Sequence, residues 1–481
     1  MQPFYRDAER YYYEPMLAAN RAHVVMLLKC DILPNDNAKA LLTALDTIER
    51  QGLDQLRYKV GVEDLFFSME RQLIELVGVS FGGNLQLARS RNDLGYALTR
   101  LSLRPLILNV IDCLLQFEAS LLKFAREHLH SLMPGYTHTQ PAQPTTLAHY
   151  VAGVLASLQR DTQRLISAYV VNNQSPLGAA ALTGTGFPID RDLSARLLGF
   201  DAVMMSTYDS IAASDNLTDV NGSLSSLGIT LSRFTHDMLF WATRESGAIR
   251  IDDSFIQISS IMPQKRNPVV LEHIRARISR MLGYSQGILL QCHNIPFGDT
   301  QDIEDEIFPQ LFGSLETAVE ILELYTAVIE SLHVNISHLQ QRASAGFTTV
   351  TELADALVRE ARLSFREAHQ IVSALVSHAL ENDLAPDTLD AALLSEIAEV
   401  VTGEPLKLGD DVIRRALDSR HFVQQRQTLG GSAPKATAAV LEAQTKQLAT
   451  DLSWIQNAHS RLQKAQTFLA ESIAAILAEE N

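Results

Sequence analysis

The stretch Ser259-Ser260-Ile261-Met262-Pro263-Gln264-Lys265-Arg266-Asn267-Pro268 puts two hydroxyls, a lysine and an asparagine in one loop. A hydroxyl beside a fixed cation and an amide donor suits a reaction in which negative charge builds on a carboxylate. A flexible surface turn is a poor account of it, because Met262 and Pro263 sit between the polar residues and suggest a loop that folds over something. Glu272 follows about one turn into the next helical pattern, where a carboxylate can orient a histidine. A second cluster, Ala88-Arg89-Ser90-Arg91-Asn92-Asp93, joins two guanidiniums to a hydroxyl and an amide. Arginine binds carboxylates through a planar fork; the same residues also read as a charged helix start capped by Ser or Asn. A third, Pro134 to Pro144, holds Thr137-His138-Thr139 in a segment stiffened by three prolines. Such a histidine can pass protons near neutral pH, or simply be a hydrogen-bonded loop residue. His149, inside a helical pattern, reads as structural.

Helical periodicity supplies the elements that must position these groups. From Pro105 to His128, apolar residues recur at Ile107, Val110, Ile111, Leu114, Leu121, Leu122 and Phe124. Pro105 near the start is where a helix tolerates proline. Further long patterns run over about 145–171, 210–243, 269–291 and 308–331. Helices of this length with apolar character on several faces bury them in a bundle or an oligomer. Strand-like alternation is scarce, with a short extended piece expected near Ser254 to Ile258. The expected fold is all-α in three regions: an N-terminal helical domain (1–104), a central long-helix bundle (105–341) and a C-terminal helical domain (342–481).

The net charge of −16 argues against a nucleic-acid partner, though local cations still permit an anionic substrate. Cys30, Cys113 and Cys292 are too scattered for a disulfide framework or a zinc site. They read as reduced thiols of a cytoplasmic protein. The N-terminal segment has no apolar core of a leader, and no run of roughly 18 apolar residues predicts a membrane span. No Gly-x-Ser-x-Gly elbow, P-loop, dinucleotide fingerprint or His-Glu-x-x-His occurs.

Taken together and in this order, the three clusters resemble the signature regions of the fumarase/aspartase superfamily, and the Met-Pro-Gln-Lys form of the loop is similar to its argininosuccinate lyase branch. Ala22-His23, the Ser175-Pro176-Leu177-Gly178 to Arg191 segment, Leu363 to His369 and Gly430-Gly431-Ser432-Ala433-Pro434 extend the resemblance over nearly the whole chain. It implies a homotetramer built on long helices, with active sites where three subunits meet. It implies reversible β-elimination of fumarate from a succinylated amine, with neither metal nor organic cofactor. By position, Ser259 is the base. Lys265 and Asn267 stabilise the aci-carboxylate, and His138, oriented by Glu272, serves the leaving amine. Ser90, Arg91, Asn92, Thr137 and Ser260 contact substrate.

The departures concern the amine. The family's glycine before the paired serines is Ile258, which predicts a stiffer hinge. Its Glu-Asp-x-His is Glu63-Asp64-Leu65-Phe66, and its Leu-His-Thr is Leu85-Gln86-Leu87. Its Ser-Asp-Arg-Asp is Ala213-Ser214-Asp215-Asn216, and its substrate-contacting Tyr, Gln and Lys become Asp299, Glu304 and Ile307. Two acids have replaced neutral groups, while two cations and two histidines are gone. Three readings follow: an argininosuccinate lyase; a lyase for another amine adduct, such as an aminopolycarboxylate of the ethylenediamine-disuccinate type run in the addition direction; and a catalytically silent, crystallin-like structural protein. Asp299 and Glu304 favour a cationic amine.

Overall fold

The computed structural model describes residues 2–304 and 306–479. Five long helices form the bundle: Arg91–Glu127, Leu147–Asn172, Asp215–Trp241, Val269–Gln291 and Phe308–Glu330. The last four match the periodic patterns closely. The first begins well before Pro105, because Ser90 and Asp93 form a capping box that starts the helix at Arg91. Proline in a helix interior costs about 3 kcal/mol. That loss is offset here by buried neighbours such as Leu103, Ile107, Leu108 and Ile111. The expected boundary at 104/105 therefore falls inside one continuous helix. This helix is also the one, among the described residues, long and apolar enough by composition to cross a membrane; 67% of its apolar window is buried inside the protein.

Residues 342–479 contribute to three cores, the smallest of which joins Ala343, Phe422 and Val423 to Leu132. Leu353, Leu357, Ile371, Leu375, Leu394 and Ile413 close a small separate core. The 45-residue helix Pro434–Ala478 instead returns to the bundle. Its Leu441, Leu448, Ile455 and Leu469 join the main core. Strands occur only as two-stranded pairs among the described residues.

The helix directions give the bundle two distinct ends. At 1.5 Å per residue, the 37 residues of the first helix span about 55 Å. The second helix returns along it, so its end meets the start of the third, where Asn216 Nδ2 donates to Asn172 Oδ1 at 3.4 Å. The third then ends beside the start of the second, with Tyr150 and Trp241 packed edge to face at 4.8 Å. Gly178 lies in the loop after the second helix, at φ +88°. A Cβ there would meet Arg191 Cγ at 2.7 Å, so the loop crosses the arginine only as glycine.

Candidate active site

The residues singled out in sequence separate onto the two ends. At one end, Ser90 caps the first bundle helix: its Oγ accepts the Asn92 N–H at 3.3 Å. Asp93 Oδ1 accepts the Ser90 N–H at 3.0 Å. The Oδ2 atom of this buried acid accepts the N–H groups of Gly178 (2.9 Å) and Ala180 (3.0 Å). Asn92 Nδ2 donates to the Ala181 carbonyl at 3.2 Å. Asp93 thus pins the 177–181 loop to the helix start. Its role was legible in the Ser-x-x-Asp spacing, which marks a capping box.

Arg91 is the group at this end suited to a substrate carboxylate, yet acids surround it. It pairs with Glu63 at 3.2 Å and Asp64 at 3.3 Å. Its guanidinium lies 5.2 Å from the Phe67 ring centre. Asp299 stands near enough for Arg91 to pull its pKa down, but burial dominates and holds the carboxyl above the usual range. Asp299 Oδ1 is shielded from solvent and has no hydrogen-bond partner among the described residues. Asp64 is likewise raised by burial. A cavity of about 60 Å³ opens beside this group, with Tyr12, Asp64, Phe66 and Arg91 in its wall. Glu304 lies in the short helix Gln301–Glu304, but its side chain is outside the described residues. Ile307, in place of the family's lysine, is fully buried.

The other end carries His138 and the serine loop. Leu132–Thr137 and Gln140–Thr146 form an antiparallel hairpin in which Thr137 faces Gln140. His138 and Thr139 are therefore its two turn residues, with φ of 52° and 64°. Left-handed backbone is strained for a β-branched residue such as Thr139. That strain is held by the hairpin's base, where Leu132 packs with Ala343, Phe422 and Val423. Thr137 and His138 are exposed, and His138 has no side-chain hydrogen bond among the described residues. His149 is structural: its ring nitrogens meet Thr145 Oγ1 at 2.8 Å and the Gly430 carbonyl at 3.0 Å.

The serine loop is itself a hairpin, with Gln257–Ile258 paired to Arg266–Asn267. Ile258 sits in extended backbone, which favours a β-branched side chain. The Ser259 N–H donates to the Lys265 carbonyl at 3.4 Å, and the Lys265 N–H to Met262 at 3.0 Å. Ser259 Oγ accepts the backbone N–H of Met262 at 3.1 Å and of Ile261 at 3.4 Å. Two donors aimed at a hydroxyl oxygen favour its ionised form. Asp253, missed in sequence, clamps the base of this hairpin through Arg266 and, at 3.2 Å, Arg250. Its neighbour Asp252 is drawn down to about 2 by Ser254 and His333. Ser260, Lys265 and Glu272 are exposed, and Asn267 is half-buried. No hydrogen bond joins Glu272 to His138 among the described residues. One chain thus presents two half-sites separated by the length of the bundle.

Residues 9–283 match the family described as Lyase, and residues 347–424 match the argininosuccinate lyase C-terminal family. The argininosuccinate lyase of Methanothermobacter thermautotrophicus is 36% identical over 90% of this chain and 92% of its own length. The chain belongs to the argininosuccinate lyase family. The enzyme of Methanoculleus marisnigri is 37% identical over 95% of this chain and 92% of its own. A crystal structure of EDDS lyase in complex with formate superposes with a TM-score of 0.91 at 30% identity, covering 98% of this chain and 92% of that one. This lyase accordingly has the all-α fold of the fumarase/aspartase superfamily, and it is a carbon–nitrogen lyase that forms fumarate.

Proposed function

We propose that this lyase eliminates fumarate from an N-substituted aspartate whose amine portion is a cationic amine other than arginine, such as a diamine or polyamine, and adds that amine back in reverse. The observation that carries the reading is the acidic surround of Arg91. Glu63, Asp64 and Asp299 outnumber the Arg91 guanidinium they surround, so its immediate neighbourhood favours a positive group over a tail rich in carboxylates. Glu304 belongs to the same reading by its place in the chain. A diamine or polyamine adduct fits that charge pattern, and an aminopolycarboxylate of the kind named for EDDS lyase stands as the alternative adduct.

In this reading the Ser259 oxygen, held by the N–H groups of Ile261 and Met262, takes the proton from the carbon beside a carboxylate. The charge moves into that carboxylate as a doubly charged aci-form. Lys265, Asn267 and Ser260 stabilise it. The carbon–nitrogen bond then breaks, and His138, oriented by Glu272, returns a proton to the amine. Ser90, Arg91, Asn92 and Thr137 hold the carboxylates. The two half-sites lie too far apart to act within one chain, which supports a homotetramer whose sites draw on different subunits. Three free thiols fit a reducing cytoplasm.

A second reading, argininosuccinate as the substrate, is favoured by the activity named for the relatives. Fumarate mixed with a panel of mono- and diamines, followed by loss of the fumarate absorbance, separates the two. Turnover of diamines at rates above those with arginine supports the proposal. Turnover of argininosuccinate alone sinks it. Ser259→Ala is expected to lower kcat by at least ~10²–10⁴-fold while leaving thermal unfolding unchanged. Retained activity removes Ser259 as the base.

A further inference from the structure

Arg89, one residue before the Ser90 cap, has a role that the lyase chemistry does not use. Its Nε, Nη1 and Nη2 are all shut off from solvent, and none has a hydrogen-bond partner among the described residues. A guanidinium offers five N–H donors, so this is a large unmet demand in a buried place. Burial lowers its pKa to about 10, with only Asp93 and Glu70 pulling the other way. Asp93 is already occupied by the N–H groups of Ser90, Gly178 and Ala180.

Arg89 lines a cavity of about 10 Å³ together with His23, Gly178, Arg191 and Ser194. That is about the space that one small, water-sized species takes. The cavity wall is positive. Arg191 donates its Nε to the Leu177 carbonyl at 2.8 Å and keeps its charge beside the cavity. His23 is neutral: burial and the Arg89 charge hold its pKa well below the usual value, and its Nε2 meets the Leu87 carbonyl at 2.9 Å. Ser194 donates its hydroxyl to the Asp190 carbonyl. A water here would satisfy two donors, and Asp93, which faces both arginines, would remain their shared counter-charge. A monovalent anion accepts several N–H groups at once and neutralises the site.

We propose that this cavity is a halide site in which one chloride ion is held by the Arg89 guanidinium, with Arg191 at its wall. The ion would tie together helix Tyr13–Lys29, the turn before Ser90 and the 177–191 loop, directly behind the Ser90-Arg91-Asn92 cluster. Thermal unfolding of the full-length lyase in potassium chloride or bromide is compared with potassium gluconate at matched ionic strength. A saturable rise of a few degrees with either halide is expected, and Arg89→Gln should abolish it. Crystals grown in bromide should show an anomalous peak within hydrogen-bonding reach of Arg89. This second measurement uses the unaltered protein, so it decides the matter even if the variant fails to fold. A map without that peak overturns the proposal whatever the melting curves show.

Discussion

A free serine hydroxyl is too weak a base to deprotonate carbon, so the proposed role of Ser259 rests on the backbone N–H groups of Ile261 and Met262 that its oxygen accepts. Those donors are generic, so the residues that decide the amine must lie elsewhere. In the proposed reading Asp299 is one such residue, with a shielded oxygen beside Arg91. Asp299→Asn should raise KM for a cationic amine about 10–100-fold in the addition direction, the loss of one charge-assisted hydrogen bond. KM for fumarate should stay within about twofold; equal changes in both would remove Asp299 from amine selection. Glu118 offers a pH test of the bundle. It is fully buried, its Oε1 accepts from Thr162 at 2.6 Å, and its Oε2 has no partner among the described residues. Burial pushes its pKa from 4.5 up to about 8. The folded state therefore keeps a proton that the unfolded chain releases above pH 4.5, and this contribution is lost as pH rises toward about 8. Glu118→Gln cannot ionise. Its stability relative to the unaltered protein should increase across that window, by up to a few kcal/mol, and then level off. Denaturant titrations at pH 5, 7 and 9 check this, and a pH-independent difference would count against it.

At the scale of elements, two hairpins carry His138 and Ser259, the groups proposed to move protons, on strands too short to hold them alone. The histidine hairpin gains its rigidity from packing at its base. The serine hairpin depends on Asp253, which bridges Arg250 and Arg266. Exposed ion pairs contribute about 0–1 kcal/mol to stability. Asp253→Ala should thus leave Tm within about 2 °C, while kcat drops several-fold because the Ser259 oxygen is less well placed. Unchanged kcat would make the clamp decorative. Local sequence read these elements unevenly. The helices Val269–Gln291 and Phe308–Glu330 follow their apolar periodicity almost to the residue. The first bundle helix does not start at Pro105, because the Ser90–Asp93 capping box and deep burial outweigh one proline on an exposed face. The serine hairpin, expected as one extended piece, is closed by a partner strand on the far side of the signature loop.

At the scale of the molecule, the ~55 Å first helix keeps Arg91 away from His138 and Ser259. If subunits share their sites, two inactive variants can repair each other. Arg91→Met and Ser259→Ala, each inactive alone, should regain activity well above either parent when unfolded and refolded together, because some hybrid sites receive only intact residues. Assays of the refolded mixture that stay at the parental level would exclude sites built across subunits. The sequence by itself determined the all-α class and the periods of the bundle helices and singled out the candidate reacting groups, since each of these is read from residue type and from spacing of a few positions. It also exposed the altered amine-side residues Phe66, Asp299 and Glu304. Only the tertiary structure decided that Glu63 and Asp64 close on Arg91, that Asp253 clamps the serine hairpin, and that the terminal helix rejoins the bundle. It also divided the reacting groups between opposite ends of one chain. Those are contacts and separations between residues distant in sequence, fixed by how long helices run antiparallel and bury their faces, and no local pattern records them.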